Sequence, residues 1–184
     1  MTTTVDERAL DVTRFWREAG PDAWFRKDDA FDADFRARFL DLHYAAARRE
    51  LDGWVEHPEG VLALMILLDQ FPRNCFRGTG HMFATDPLAR YFADRAIAAG
   101  HDLALDEALR AFVYLPFEHS ESLEDQERSV ALFSANCPES FLPYAIEHRD
   151  IITRFGRFPH RNRALGRETT AEEQQYLDDG GFAG

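Results

Sequence analysis

The segment from Val61 to Leu68 restricts the fold more than any other feature, because every residue in it is apolar. It follows Pro58, a residue that suits the first turn of a helix. A helix that is apolar on every side has to be buried on every side. The run is far shorter than the roughly 20 residues that a membrane-spanning helix needs. We therefore predict a buried helix at the centre of a soluble protein.

Amphipathic patterns and helix-end signals predict helices along most of the remaining chain. A capping box at Thr4–Glu7 predicts the start of a first helix, and a second helix is expected to end near Trp54. Later helices are predicted over Asp86–Gly100 and Asp106–His119, from a capping box at Ser122, over Phe141–Phe155, and between Thr170 and Gly181. No segment shows the period-two alternation of a strand. The expected fold is a single all-α domain over residues 1–184, an irregular stack of about eight helices in antiparallel hairpins.

The charge balance narrows the classes of partner. The chain has 21 basic and 33 acidic residues, for a formal net charge of −12. A field of this sign repels phosphate backbones and anionic lipids, which argues against nucleic acid or a membrane as the main partner. The N-terminal residues contain no apolar run of the signal-peptide type, and only Cys75 and Cys137 are present. We expect a cytoplasmic protein with reduced core thiols.

A first polar break follows the apolar helix directly. Pro72 lacks an N–H and its ring clashes with the carbonyl of Leu68, so the helix is expected to end or kink there. The carbonyl that is freed needs a donor, and Arg73 or Asn74 is the predicted one. Asp69 and Arg73 are four residues apart and are expected to form an ion pair. The alternative is that these side chains form a binding site.

A second break repeats this design at Pro116, where Glu118, His119 and Glu121 follow an apolar helix. A buried histidine beside carboxylates is typical of a proton-transfer or ligand site. The three side chains can also bind a metal ion, although their spacing matches neither a zinc helix nor a di-iron bundle. The remaining interpretation is an ordinary helix end followed by the acidic first turn of the next helix.

A third break lies in the seventh predicted helix and beyond it. His148 falls on an otherwise apolar stripe, where a histidine of the core is one interpretation and a ligand contact the other. The segment 154–163 has a net charge of +4 in an acidic protein. Its side chains Arg157 and Arg161 suit a carboxylate or a phosphate. They are equally suited to pair with the acidic residues 121–127 and to fasten the C-terminal segment.

Several stretches resemble a bacterial family known as domain of unknown function 924. The resemblance is carried by residues 67–78, 83–90 and 115–129 and by the stretch that begins Phe158-Pro-His-Arg-Asn162. It implies an all-helical superhelix of the tetratricopeptide-like class. It implies no reaction, cofactor or catalytic residue.

Three functional hypotheses follow. The first is a binding module that holds a small anionic molecule or a peptide carboxylate. The second is a small-metabolite hydrolase or isomerase that uses His119 as acid or base. The third is a protein-interaction scaffold. No cofactor is predicted, and the sequence gives no oligomeric state. The candidate catalytic residues are His119, Glu118 and Glu121, and the candidate ligand-binding residues are Asp69, Arg73, Asn74, Arg77, Tyr114, His148, Arg157, His160, Arg161 and Asn162.

Overall fold

Helices make up most of the structure, a computed structural model that describes residues 4–184; the first three residues of the N-terminal segment considered above lie outside it. No β-strand occurs between residues 4 and 184, so the all-α prediction is confirmed. The α-helices are α1 Glu7–Ala19, α2 Pro21–Trp24, α3 Asp29–Ala47, α4 Pro58–Met65, α5 Phe71–Cys75, α6 Asp86–Ala98, α7 Glu107–Glu118, α8 Leu123–Asn136, α9 Leu142–Phe155 and α10 Ala171–Asp178.

Two predicted helix ends were wrong in detail, and one predicted capping bond is absent. Helix α1 is capped by Asp6, whose carboxylate accepts from the backbone N–H of Arg8, and not by a Thr4–Glu7 box. Helix α3 stops at Ala47 and not near Trp54, because Arg49 has a φ of 65°, which a continuous helix does not allow. At α8, Ser122 occupies the N-cap but its side chain caps nothing. The capping box of α10 is present as expected.

The apolar run lies at the centre, as predicted. Every residue from Val61 to Leu68 has a solvent exposure of 0%. Helix α4 packs against α1, α6 and α7, while α7, α8 and α9 pack consecutively against one another. None of the described helices is both long and apolar enough to cross a membrane.

The chain passes Pro72 through a π-helical turn. Residues Ile66–Gln70 form this turn and α5 follows it directly, so of the two predicted outcomes, an end or a kink, the helix does not end at Pro72. The freed carbonyl of Leu68 accepts from the hydroxyl of Thr85, and not from Arg73 or Asn74. The wider π turn also leaves the Leu67 carbonyl to accept from Nδ1 of His43, at 2.8 Å.

The C-terminal end of α7 is held by α8. Pro116 lies within the last turn of α7, which ends at Glu118. The amide Nε2 of Gln126 donates to the carbonyls of Glu118, at 2.6 Å, and Ser120, at 2.7 Å. This buried amide fixes the chain where it leaves the helix, so Glu118 and His119 are held in one orientation.

The bond from Thr85 to the π turn is expected to contribute measurably to stability. The substitution Thr85→Val keeps the side-chain shape and leaves the Leu68 carbonyl buried without a donor. We expect the free energy of unfolding to fall by about 1–3 kcal/mol in urea denaturation. Thr79→Val is the matched control, because the exposed Thr79 hydroxyl donates to the carbonyl of Phe76 at 2.8 Å. Its loss should stay within about 0.5 kcal/mol, and equal losses in the two variants would contradict the assignment.

Candidate functional site

The three polar breaks meet in one buried charge cluster. We define this cluster by Asp69, Arg73, Asp86, His119 and Arg161, which are joined to one another by hydrogen bonds and ion pairs. Asp69 comes from the π turn, Arg73 from α5, Asp86 from the start of α6, and His119 from the end of α7. Arg161 ends a short 3₁₀ turn that follows α9. Helix ends far apart in sequence therefore supply one site.

Asp69 lies at the centre of the cluster and is fully buried. Its Oδ1 accepts from Nδ1 of His119 at 2.7 Å, and its Oδ2 accepts from Nε2 of Gln70 at 2.6 Å. Burial alone raises the pKa of Asp69. The positive charge of Arg73 and the bonds from His119 and Gln70 outweigh burial, and they hold the pKa at about 2. Asp69 is therefore a carboxylate at neutral pH.

The ionised carboxylate fixes the tautomer of His119. Since Asp69 cannot donate, Nδ1 of His119 carries the proton of the 2.7 Å bond. Burial and the charge of Arg73 lower the pKa of His119, which keeps the ring neutral at pH 7. The second nitrogen, Nε2, then carries a lone pair, and none of the residues 4–184 forms a hydrogen bond with it. This is the arrangement of a histidine base held by a carboxylate.

The two arginines of the cluster are held differently. Arg73 forms a fork with Asp86, at 2.9 and 3.0 Å, and the predicted ion pair with Asp69 is present at 3.2 Å. Arg161 donates from Nη2 to the carbonyl of His119 at 2.9 Å and lies 3.5 Å from Asp86 through Nη1. Its guanidinium carbon is 4.5 Å from the ring centres of both Phe83 and Phe158. The two arginines balance the two carboxylates of the cluster.

Glu118 is a buried carboxyl group next to this cluster. Burial, together with the negative charge of Asp69, raises the pKa of Glu118 to about 8. The group is therefore protonated at neutral pH. Its Oε1 lies 3.6 Å from Nδ1 of His148, beyond hydrogen-bond distance, and that nitrogen donates instead to the carbonyl of Tyr144 at 2.8 Å. A neutral acid and a neutral imidazole thus come from consecutive residues, Glu118 and His119.

Several predicted ligand residues lie outside the cluster. Asn74 and Arg77 both donate to the carboxylate of Asp32, at 2.7 and 2.9 Å. Tyr114 donates from its hydroxyl to Asp102 at 2.6 Å. These contacts join neighbouring helices, and the geometry does not bring the three predicted residues to His119.

The C-terminal segment is fastened by pairs other than the expected ones. The predicted partner of the acidic stretch was Arg157 or Arg161, but Glu121 instead accepts from Arg167, at 2.8 and 3.0 Å. Arg157 and Asn162 both donate to Glu173 in α10. These ion pairs and amide bonds are structural contacts of the C-terminal segment. Glu121, a predicted catalytic residue, therefore forms a structural ion pair with Arg167.

The metal alternative finds no support in the geometry of the described residues. Within residues 4–184, no three His, Cys, Asp or Glu side chains are grouped as ligands of one ion. Of the three side chains considered for a metal, Glu121 is bound to Arg167 and His119 directs Nδ1 at Asp69.

Two surface grooves of the described chain lie away from the cluster. One groove of about 420 Å³ follows α3 and is lined by residues such as Arg36 and Asp41. Another, of about 320 Å³, lies between α1 and Glu59. Neither is lined by a member of the buried charge cluster. The side chain of His119 itself keeps 13% of its surface exposed to solvent.

Two important residues of the site carry no signal in the sequence. Asp86 precedes Pro87 at a helix start and reads as an ordinary first-turn acid, yet it receives the fork of Arg73. Thr85 reads as a neutral turn residue, yet it seals the π turn. Their roles come from the packing of α6 on the π turn, which no local pattern encodes.

Fold and site together define an all-α protein in which several helix ends bury an Asp–His pair between arginines. The chain belongs to the bacterial family of unknown function DUF924, which matches residues 12–181. It is 62% identical to a protein of unknown function from Agrobacterium tumefaciens, with a TM-score of 0.91 over 94% of this chain and 97% of that one. A comparison with curated proteins found no significant match.

The raised pKa of Glu118 predicts a pH-dependent stability. The folded protein holds a proton that the unfolded chain releases above its value of 4.5, so stability is lost as the pH rises from about 4.5 to about 8. Glutamine does not ionise, so Glu118→Gln should stabilise the protein at pH 8 by about 1–3 kcal/mol and leave it unchanged at pH 4. Urea unfolding at both pH values measures this difference.

Glu121→Gln is the matched control for this prediction. The Glu121 carboxylate is paired with Arg167 and its pKa is lowered, so its loss should destabilise the protein at pH 8. If Glu118→Gln changes the free energy of unfolding by the same amount at pH 4 and pH 8, the pKa of Glu118 is not raised in the folded protein.

Proposed function

We propose that the protein is an enzyme that moves protons on a small organic molecule, with His119 as the base and Glu118 as the acid. The observation that carries the proposal is the 2.7 Å bond from His119 Nδ1 to Asp69, which leaves Nε2 with a free lone pair. A histidine that is oriented by a carboxylate through one nitrogen uses the other as a general base. Isomerisation or hydrolysis of a small anionic metabolite is the reaction class that this pair suits.

The protonation states of His119 and Glu118 favour different roles for the two residues. A lowered pKa keeps His119 neutral and able to accept a proton. The pKa of about 8 keeps Glu118 protonated and able to donate one near neutral pH. Acid and base partners in active sites typically lie in environments that shift their pKa values in opposite directions, as for Glu118 and His119.

The arginines of the cluster support the same chemistry. Negative charge that develops on a substrate near His119 would lie close to Arg161, which donates to the His119 carbonyl. Fixed positive charge in a buried site stabilises such a transition state strongly. Asp86 keeps Arg73 and Arg161 in place before the substrate arrives.

A pure anion-binding module has less support from the contacts. Of the arginines proposed for it, Arg77 is paired with Asp32, Arg157 with Glu173, and Arg73 with Asp86. A scaffold has little support either, since the ring contacts of the exposed aromatic residues in the described chain are with other residues and not with one another. The large exposed apolar residues are Phe25, Tyr44, Tyr91, Leu103, Leu123, Tyr144 and Leu165.

Turnover tests the proposal directly. Small organic acids and esters are incubated with the protein in D₂O, and proton NMR follows product signals and the loss of C–H signals by exchange. On any substrate found, His119→Gln should lower kcat by about 10²- to 10⁴-fold, because the base is lost. His101→Gln is the control, since this histidine lies outside the cluster.

The pH profile separates catalysis from folding. The wild-type rate should fall on the acid side as His119 is protonated and on the alkaline side near pH 8 as Glu118 ionises. Glu118→Gln should remove the alkaline limb. A His119→Gln variant as active as His101→Gln would refute the proposal.

A further inference from the structure

The aromatic ring of Phe182 covers two histidines beside the buried charge cluster. Its centre lies 4.5 Å from that of His148 and 5.1 Å from that of His160, with edge-on geometry in both contacts. The His148 ring is in turn 6.3 Å from the ring of His119. Phe182 therefore stands one ring away from the proposed base.

The same region contains polar atoms that lack a protein partner. Arg161 has a solvent exposure of only 6%, yet its Nε has no hydrogen-bond acceptor in the described chain. The neighbouring His160 also has a buried ring nitrogen, Nδ1, without a partner between residues 4 and 184. An unpaired buried donor costs about 1–3 kcal/mol, and such groups in a folded protein call for an explanation. An acceptor supplied by a ligand would satisfy Nε of Arg161.

The electrostatics of this region favour an anion. Burial and, to a smaller extent, nearby positive charge such as that of Arg161 lower the pKa of His148 to about 4 and that of His160 to about 3. Both rings are therefore neutral at pH 7, and Arg161 is the cation of this region that keeps a buried donor without a partner. A bound carboxylate would accept from that donor.

The segment that carries Phe182 is held by few bonds. The backbone N–H of Phe182 donates to the hydroxyl of Tyr176 at 2.9 Å, and that of Gly181 donates to the Tyr176 carbonyl at 2.9 Å. Phe182 itself is only half-buried and packs on a small apolar cluster of Ile151, Ile152 and Phe158. Its ring can leave without disrupting the main core, and the space left behind is lined by apolar groups and imidazoles.

We infer that the ring of Phe182 occupies a ligand-binding cavity, and that the molecule which displaces it is a small carboxylate bearing an aromatic or similarly sized apolar group. The apolar group takes the place of the ring between His148 and His160, and the carboxylate is bound by Arg161. This inference rests on the proposed function and deepens it, because it names the substrate class of the same site.

Binding of chosen probes tests the inference without any assay of turnover. The probes are 3-phenylpropanoate, the neutral 3-phenylpropanol, and propanoate, each titrated calorimetrically into wild type, Phe182→Ala and Phe25→Ala. Phe25 is an exposed phenylalanine away from the site and serves as the control. Removing the competing ring should tighten 3-phenylpropanoate binding by about tenfold or more in Phe182→Ala only. The alcohol and propanoate should bind at least about tenfold more weakly than 3-phenylpropanoate.

Equal affinity of 3-phenylpropanoate for wild type and Phe182→Ala, or equal affinity of the acid and the alcohol, would overturn the inference. If Phe182→Ala does not fold, Phe182→Leu replaces it, with a gain of about threefold expected because part of the cover remains. The outcome is independent of the proposed reaction. If 3-phenylpropanoate binds tightly but His119→Gln keeps full turnover, only the proposed reaction is refuted. If 3-phenylpropanoate does not bind but turnover depends on His119, only the proposed ligand class is refuted.

Discussion

The buried carboxylate of Asp69 is the constraint on which the site depends. A charge removed from water is tolerated only when hydrogen bonds and opposite charges replace its hydration. Asp69 obtains them from Gln70 beside it, Arg73 one turn later and His119 at the end of α7. These requirements bring the end of α7 against the π turn, and they set the protonation state of His119.

The helix that supplies Asp69 continues past Pro72 by adopting an unusual backbone geometry. The π turn at Ile66–Gln70 lets the chain continue past Pro72, and it leaves carbonyls that His43 and Thr85 have to satisfy. The threonine precedes Asp86 directly, so the residue that seals the turn also positions the carboxylate that holds Arg73. Stability and site geometry therefore depend on the same few contacts.

Local sequence pattern predicted the helices better than it predicted the site. The uninterrupted apolar run at Val61–Leu68 predicts a central helix, and spacing four predicts the contact of Arg73 with Asp69, which is present. No local pattern marks Asp86 as the main partner of Arg73, because α6 brings it there from outside the turn. The sequence equally allowed Arg161 to fasten the chain or to bind a ligand, and only the packing shows its unpaired Nε.

The ring nitrogens of His119 provide the most direct test of this account. A long-range proton–nitrogen NMR correlation at pH 7, assigned by comparison with His119→Gln, reports which nitrogen carries the proton. The account predicts a proton on Nδ1 and a free lone pair on Nε2, because Asp69 is ionised and burial keeps the ring neutral. A proton on Nε2, or on both nitrogens, would contradict it.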